Sequence, residues 1–485
     1  MERMKTGYLF LTALACMAII FCCSWYSSEN REHLKSNTFV IDTLATGLTL
    51  PWEIAFLPDS TMLFTETDGK VRIYRDEKLL EKPALVIKKL DTLKKMGLLG
   101  MAVHPNFSTN QQIYLAHNYR IGDNSFLKVV RYQLERDTLI QQLILVSDIK
   151  ANQNHTGCRL KFGPDGKLYI TTGDADQPML AQDLKSLNGK ILRVNDDGSI
   201  PIDNPFVEND TARKEIWSYG HRNPQGLDFQ AGTDFLYSSE HGPTGGDEIN
   251  RIYKGANYGW PIIHHSDTQE GMLAPLLEYT PSIGPSKLVF YNADAFSSLK
   301  GKMLLACLRG EKIIELAVND KNVTEEKVLL PKVYGRIRAI TVGPEGYLYI
   351  STSQYDPPEG TPGPKSDLLL RMRPAAKGES GIALNSFVNE SSMTDTSTEG
   401  ISNTPKKIYG QLCASCHGID LKGTKTAQSM RDGKWKYVSD KASMVKIING
   451  GIIKKGMPAW EGVIDQDRVD ALADYIFEIT DKNNN

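Results

Sequence analysis

The sequence predicts an all-β six-bladed propeller followed by a small all-α domain, and three observations predict it. One strand–turn–strand signature recurs between residues 38 and 373, and recurrence of that kind marks a repeat architecture. The composition at 374–404 then shifts to Ser, Thr, Glu, Asn and Gly with few large apolar residues. Beyond it, residues 405–482 return to helical patterning around a Cys-x-x-Cys-His motif.

At 485 residues the chain has room for two or three domains. Its 56 Lys and Arg against 58 Asp and Glu leave a formal charge of -2, and no long basic run interrupts it, so nucleic acid is not an expected partner. Residues 1–23 read as an export signal or a lipoprotein signal: Lys5 closes a charged start, and Tyr8 to Cys23 form the apolar stretch. That stretch is slightly shorter than the about 20 residues of a spanning helix, although Trp25 and Tyr26 could extend it to an interface. Cys23 stands where a bacterial lipoprotein is acylated, with Cys22 and Cys16 as alternatives. The expectation is an exported protein, periplasmic or in the cell envelope, free or held by an N-terminal lipid or helix. Residues 24–37 read as a short linker. Of seven cysteines, three lie in this leader and two in the Cys-x-x-Cys-His motif, so Cys158 and Cys307 alone remain and no disulfide framework holds the large domain.

The repeat copies follow in order. Pro51–Asp59 leads to Met62–Thr67, and Gly97–Pro105 leads to Ile113–Leu115. Arg159–Thr172 contains its whole hairpin around Gly-Pro-Asp-Gly, and Gln225–Phe229 leads to Phe235–Ser239. A degenerate fifth copy runs from Lys302–Ala306 to Ile313–Leu316, and Ala339–Thr352 closes the series around Gly-Pro-Glu-Gly. Small sheets of this kind bury their faces only against neighbours, which gives a propeller with one blade per copy. One or two β-sandwiches would leave the shared turn signature unexplained. The linker at 374–404 has a random-coil span of roughly 30 Å, enough to tether a mobile second domain.

In the C-terminal domain, Cys413-Ala-Ser-Cys416-His417 supplies two thiols spaced for thioethers to a haem and an adjacent imidazole for its iron. A zinc site would need a second pair of Cys or His ligands, and none follows. Met457, in Gly456-Met-Pro458, is the expected sixth ligand, with Met444 and Met430 the other candidates. A His/Met pair raises the potential and leaves no open position on the iron, so this c-type cytochrome domain should carry electrons.

Several stretches of the large domain resemble the soluble glucose and aldose sugar dehydrogenases that use pyrroloquinoline quinone (PQQ). They are Leu187–Val194 with Asp197–Pro201, Tyr219–Leu227, Ser239–Pro243, Asp247–Asn250 and Asn257–Pro261, in the family's order. The resemblance implies oxidation of an aldose hemiacetal to a lactone. His155 matches the family's base, and a neutral imidazole suits proton abstraction near neutral pH. Arg222 and Asn223 match the pair that contacts the quinone oxygens, and a fixed guanidinium there would stabilise arriving negative charge. A cofactor with three carboxylates needs several cations. Arg336 and Arg338 match the family's paired arginines, and residues two apart share a face in a strand. Arg309 stands where the family usually has Lys.

The resemblance further implies calcium, bridged to the cofactor by backbone carbonyls at Gly242 and Pro243, with a second calcium at Glu248 and Tyr258. Two departures, Lys95 for a Gln and Asn154 before the base, leave the sugar open and extend the options to a non-sugar alcohol or a propeller without catalysis. Haem fused to such a domain implies that the reduced cofactor gives up its electrons one at a time to the iron, and from there to a redox carrier or respiratory chain. Two other readings compete: a cofactor-free binding propeller fused to an electron carrier, and a calcium-dependent lactonase, which would need carboxylate ligands in its central channel.

Overall fold

A computed structural model describes residues 38–92, 96–243, 245–265, 267–319, 322–330, 334–354 and 367–384 of the large unit. In the C-terminal unit it describes 405, 409, 413, 417, 421–423, 429–431, 435–452 and 466–481. The leader with its three cysteines, Lys95, Cys416 and Met457 lie outside the described residues. The chain divides after Met393 into two compact units.

Six antiparallel sheets make up the first unit, which is a six-bladed β-propeller. The innermost strands are Pro51–Phe56, Leu98–Val103, Leu160–Phe162, Pro224–Phe229, Pro285–Phe290 and Ile337–Val342. Each blade's second strand is sandwiched between neighbours, so Leu168–Thr172, Met303–Cys307 and Leu348–Thr352 are buried at every position. That explains why these strands are continuous apolar and Thr runs rather than alternating ones.

The repeated turn is a repeated hydrogen-bond pattern. Gly163 N donates to Lys167 O at 2.9 Å and Gly166 N to Gly163 O at 3.0 Å; Gly343 N donates to Tyr347 O at 2.8 Å and Gly346 N to Gly343 O at 2.9 Å. The closing glycines sit at φ 71° and 82°, a backbone region that a side chain disfavours. Blade five corrects the expected register. Its first strand is Pro285–Phe290, and an insertion with a 3-10 turn at Ser297–Leu299 separates it from Met303–Cys307, so the copy placed at Lys302–Leu316 was the second and third strands.

The ring closes through the N-terminal strand. Thr38–Leu48 pairs antiparallel with Asp367–Pro374, Val40 opposite Arg373, and completes the last blade. Ile382–Ala383 then pairs with the other edge of the same strand, and Leu384 is buried. The propeller therefore runs past the expected boundary at 373, and the first residues of the expected linker belong to it.

Five innermost strands carry a register shift near the end where they begin: between Pro51 and Glu53, Leu98 and Met101, Pro224 and Gly226, Pro285 and Leu288, and Ile337 and Ala339. Bulges re-aim side chains next to active sites. Here they turn Trp52, Gln225 and Arg338 into a cavity at that end of the axis. The opposite end holds a second cavity, of about 430 Å³, lined by Glu53, Lys161, Asp228, Lys287 and Thr341 among others.

In the C-terminal unit, the helix Lys441–Gly450 starts with a capping box: Ser443 N donates to Asp440 Oδ1 at 2.8 Å and Asp440 N to Ser443 Oγ at 3.0 Å. With the helix Gln466–Asp481 it encloses Tyr409, Met444, Ile448, Val469, Leu472 and Ile476. Among the described residues no helix is long and apolar enough to cross a membrane.

Candidate active site

The cavity at the bulged end has a volume of about 240 Å³. It gathers His155, Arg222, Asn223, Gly242, Pro243, Arg309, Arg336 and Arg338, eight residues from loops and strand ends of different blades. Arg336 and Arg338 both reach it, but not by strand alternation: Arg336 precedes the strand and Arg338 sits at the bulge.

His155 is positioned by a close approach of two loops. A Cβ at Gly173 would lie 1.9 Å from His155 O, so glycine is required there. The imidazole Nδ1 lies 2.7 Å from Asp174 Oδ1 and 3.2 Å from Asp176 Oδ1. A carboxylate can only accept, so Nδ1 carries the proton and Nε2 keeps a lone pair able to take another. Asp174 is fully buried, and its other oxygen accepts from Trp260 Nε1 at 2.8 Å, which locks the pair. The same indole lies under the Arg222 guanidinium at 5.3 Å.

Asn223 Oδ1 accepts from Gln225 Nε2 at 3.0 Å and Gly157 N at 3.3 Å, which leaves the amide's N–H groups as its remaining hydrogen-bonding capacity. Gln225 Oε1 accepts from Arg338 Nη1 at 2.9 Å. Arg338 and Arg159 both pack on Trp52, at 5.6 and 4.1 Å. Burial pushes the Arg338 guanidinium well down from its ordinary value, and Arg159 and Arg336 beside it push the same way. Burial lowers Arg222 as well, and its Nε is buried with no hydrogen-bond partner among the described residues. A wall with four arginines, and no carboxylate among its described residues, fits a polyanionic ligand.

Behind Arg222 lies a buried polar chain. Arg222 N donates to Glu240 Oε2 at 3.0 Å, His221 Nδ1 to Glu240 Oε1 at 2.9 Å, and Asn250 Nδ2 reaches both Glu240 at 2.9 Å and Glu248 at 2.8 Å. Burial, reinforced by Glu240, pushes the Glu248 carboxyl up to about 8. Carboxylates crowded in this way fit a cation. The Tyr258 hydroxyl is already committed, donating to Arg251 O at 2.5 Å and accepting from Tyr253 N at 2.9 Å, so the phenol is not a free metal ligand. Around the first expected calcium, a Cβ at Gly242 would meet Gly245 O at 2.0 Å, and Gly242 N donates to Asp247 Oδ1 at 2.9 Å. That loop is compact enough to bring backbone to a ligand.

In the C-terminal unit His417 N donates to Cys413 O at 3.0 Å, a helical turn joining the two described members of the haem motif. Burial lowers the His417 imidazole from its ordinary value. Sequence reasoning missed Asp174, Asp176, Trp260 and Gln225. The one available signal was Gly173-Asp174 at the end of a strand that carries the repeat signature.

A sequence profile of the glucose/sorbosone dehydrogenase family matches residues 48–358, and one of the cbb3-type cytochrome c oxidase subunit III matches 402–476. The aldose sugar dehydrogenase YliI of Escherichia coli is 35% identical over 340 residues, covering 65% of this chain and 91% of its own length. The crystal structure of the soluble E. coli aldose sugar dehydrogenase in its apo form superposes with a TM-score of 0.64 at 34% identity, over 70% of this chain and 100% of that one. The PQQ-bound form of aldose sugar dehydrogenase from Streptomyces coelicolor superposes with a TM-score of 0.61 at 27% identity, over 70% of this chain and 98% of that one. The chain therefore belongs to the glucose/sorbosone dehydrogenase family of PQQ-type sugar dehydrogenases and carries a C-terminal cytochrome c domain.

Proposed function

We propose that the protein is an exported quinohaemoprotein that oxidises an aldose at C1 to the lactone and delivers the electrons to its own haem. The observation that carries this reading is the convergence of His155 with four arginines, Asn223, Gly242 and Pro243 on one cavity. Arg309, Arg336 and Arg338 would hold the carboxylates of PQQ, Arg222 and Asn223 its quinone oxygens, and Gly242 and Pro243 the calcium beside it. Glu248, with the backbone near Tyr258, would hold a second calcium. Bound there, PQQ supplies the acceptor for the C1 hydride.

The chain's own residues do the rest. His155 Nε2 takes the proton of the anomeric hydroxyl, and Asp174 keeps the imidazole in the tautomer that can accept it and offsets the charge that appears. Arg222 places a fixed positive charge where negative charge collects. Cys413 and Cys416 would bind the haem, with His417 and Met457 on its iron, and the haem would pass electrons to a downstream redox carrier. Covalent haem attachment and the apolar leader support export, to the periplasm or the cell envelope. The lactonase reading finds no carboxylate ligands among the described residues that line the cavity of His155 and the arginines, and at the opposite end Glu53 and Asp228 are paired with Arg159, Lys287 and Lys161. A binding propeller would not need an imidazole held at the cavity by the buried Asp174, itself fixed by Trp260.

Reconstitution tests the proposal. The purified apoprotein is titrated with PQQ in the presence of calcium, and a panel of aldoses is supplied with an artificial electron acceptor. Saturable PQQ binding and lactone formation from at least one aldose are expected. Absence of both would remove the dehydrogenase reading.

A further inference from the structure

His155 Nδ1 faces two carboxylates, and they are unlike each other. Asp174 is fully buried and locked by Trp260. Asp176 keeps 35% of its side chain exposed, and Oδ1 lies 3.2 Å from the imidazole. Its Oδ2 accepts from Asn154 Nδ2 at 2.9 Å and Asn152 Nδ2 at 3.4 Å, and its backbone N donates to Asp174 Oδ1 at 2.9 Å. Because a carboxylate cannot donate, both asparagine amides must turn their N–H groups toward it.

The backbone that brings these groups together is unusual. His155, Ala175 and Asp176 adopt φ of 50°, 55° and 58°, so three non-glycine residues in the left-handed region meet at one contact. Each such residue costs on the order of 1 kcal/mol, and such conformations gather where geometry serves function. Asp174 also spends Oδ1 on two N–H groups, those of His155 and Asp176, and Asp176 adds acceptor capacity at the same nitrogen.

We propose that Asp176 is a second positioning residue for the base, sharing the Nδ1 proton of His155 with Asp174 and, through Asn154 and Asn152, tying the histidine to the cavity wall. The inference rests on the role proposed for His155. The charged groups facing the imidazole are Asp174 and Asp176, with Arg222 across the cavity close enough to be coupled electrostatically to both. When the imidazole becomes cationic, Asp174 supplies charge through a fixed contact, and Asp176 adds a second carboxylate on the solvent side of the same nitrogen. Asp176 touches no reacting atom; it acts through His155 and Asn154.

The test uses the full chain reconstituted with PQQ and calcium. In Asp176→Asn the plateau of kcat falls about threefold to tenfold while KM changes less than about twofold, and the acid limb of the kcat/KM profile moves to lower pH by about half a unit, because one of two negative neighbours has gone. Asp176→Glu restores part of the plateau. A readout without turnover accompanies these: proton NMR of the wild-type chain shows a downfield imidazole N–H resonance that moves upfield in Asp176→Asn and disappears in Asp174→Asn. A resonance unmoved in Asp176→Asn overturns the inference, whatever the chain oxidises. A resonance that moves in a chain oxidising no aldose supports the contact and rejects the dehydrogenase reading instead. A loss of kcat matched by an equal loss of PQQ affinity would also overturn it, since that is a collapsed cavity and not a mispositioned base.

Discussion

At one end of the propeller axis, Glu53 meets Lys287 and Arg159, Asp228 meets Lys161 at 2.7 Å, and Lys287 also donates to Thr341 at 2.6 Å. At the other end, four arginines line a cavity whose described wall contains no carboxylate. The two ends lie a few residues apart along shared innermost strands and differ in the charged side chains that line them. Where each cation has an acidic partner, the ring serves to hold blades together. Where four arginines line one cavity with no carboxylate among the described lining residues, the wall fits an anionic ligand. Arg159 and Trp52 stand between the two, the guanidinium paired with Glu53 on one side and stacked over the indole on the other.

Exchanging roles between the ends would break this contrast, and the largest effect belongs to the open end. His155→Ala should slow aldose oxidation by about 10²–10⁴-fold while PQQ binding persists, as steady-state rates and a quinone titration would show. Next comes the closed end: Glu53→Gln removes one partner from a buried network and should cost about 3–5 kcal/mol in denaturant unfolding, with kcat per folded molecule changing far less. A large loss of kcat in that variant without a loss of stability would mean that the closed ring takes part in the chemistry.

Arg338→Met tests the open end from the binding side. Removing one charged donor should weaken PQQ about 10–100-fold, measured by calorimetry. The smallest effect concerns two glutamates with opposite behaviour. Burial alone would raise Glu53, but Arg159 and Lys287 outweigh it and hold the carboxyl below its ordinary value, so its stabilisation is present above pH 4.5 and fades in acid. Glu248 is raised to about 8, so the folded apoprotein binds an extra proton between 4.5 and 8 and loses stability as pH rises through that window. The apoprotein Tm should therefore fall by about 5 °C from pH 5 to 8, an effect that Glu248→Gln flattens and added calcium opposes.

The same contrast sets what the sequence discloses. The blades were legible because each needs a strand reversal at one place, and Gly163–Gly166 and Gly343–Gly346 write that turn out residue by residue. The arginines and His155 were legible through family-specific stretches. Closure by Thr38–Leu48 was not, because pairing across more than 300 residues leaves no local pattern. Blade five was misread by one strand since its insertion dilutes the turn. Bulges at Trp52, Gln225 and Arg338 break the two-residue period that sequence reading relies on, and Asp174 and Asp176 reach His155 by tertiary approach of two loops.

The central claim is that electrons leave the open end of the propeller through the haem of the same chain. Anaerobic titration of the reconstituted, fully oxidised protein with limiting aldose, followed by haem absorption, addresses it most directly. Each sugar yields two electrons and the single haem of the same chain accepts one, so a first phase should reduce one haem per sugar consumed at a rate independent of protein concentration, and the second electron should reach another chain's haem in a slower phase that speeds up with protein concentration. Sugar oxidation that proceeds with an added acceptor while the haem stays oxidised would contradict the account.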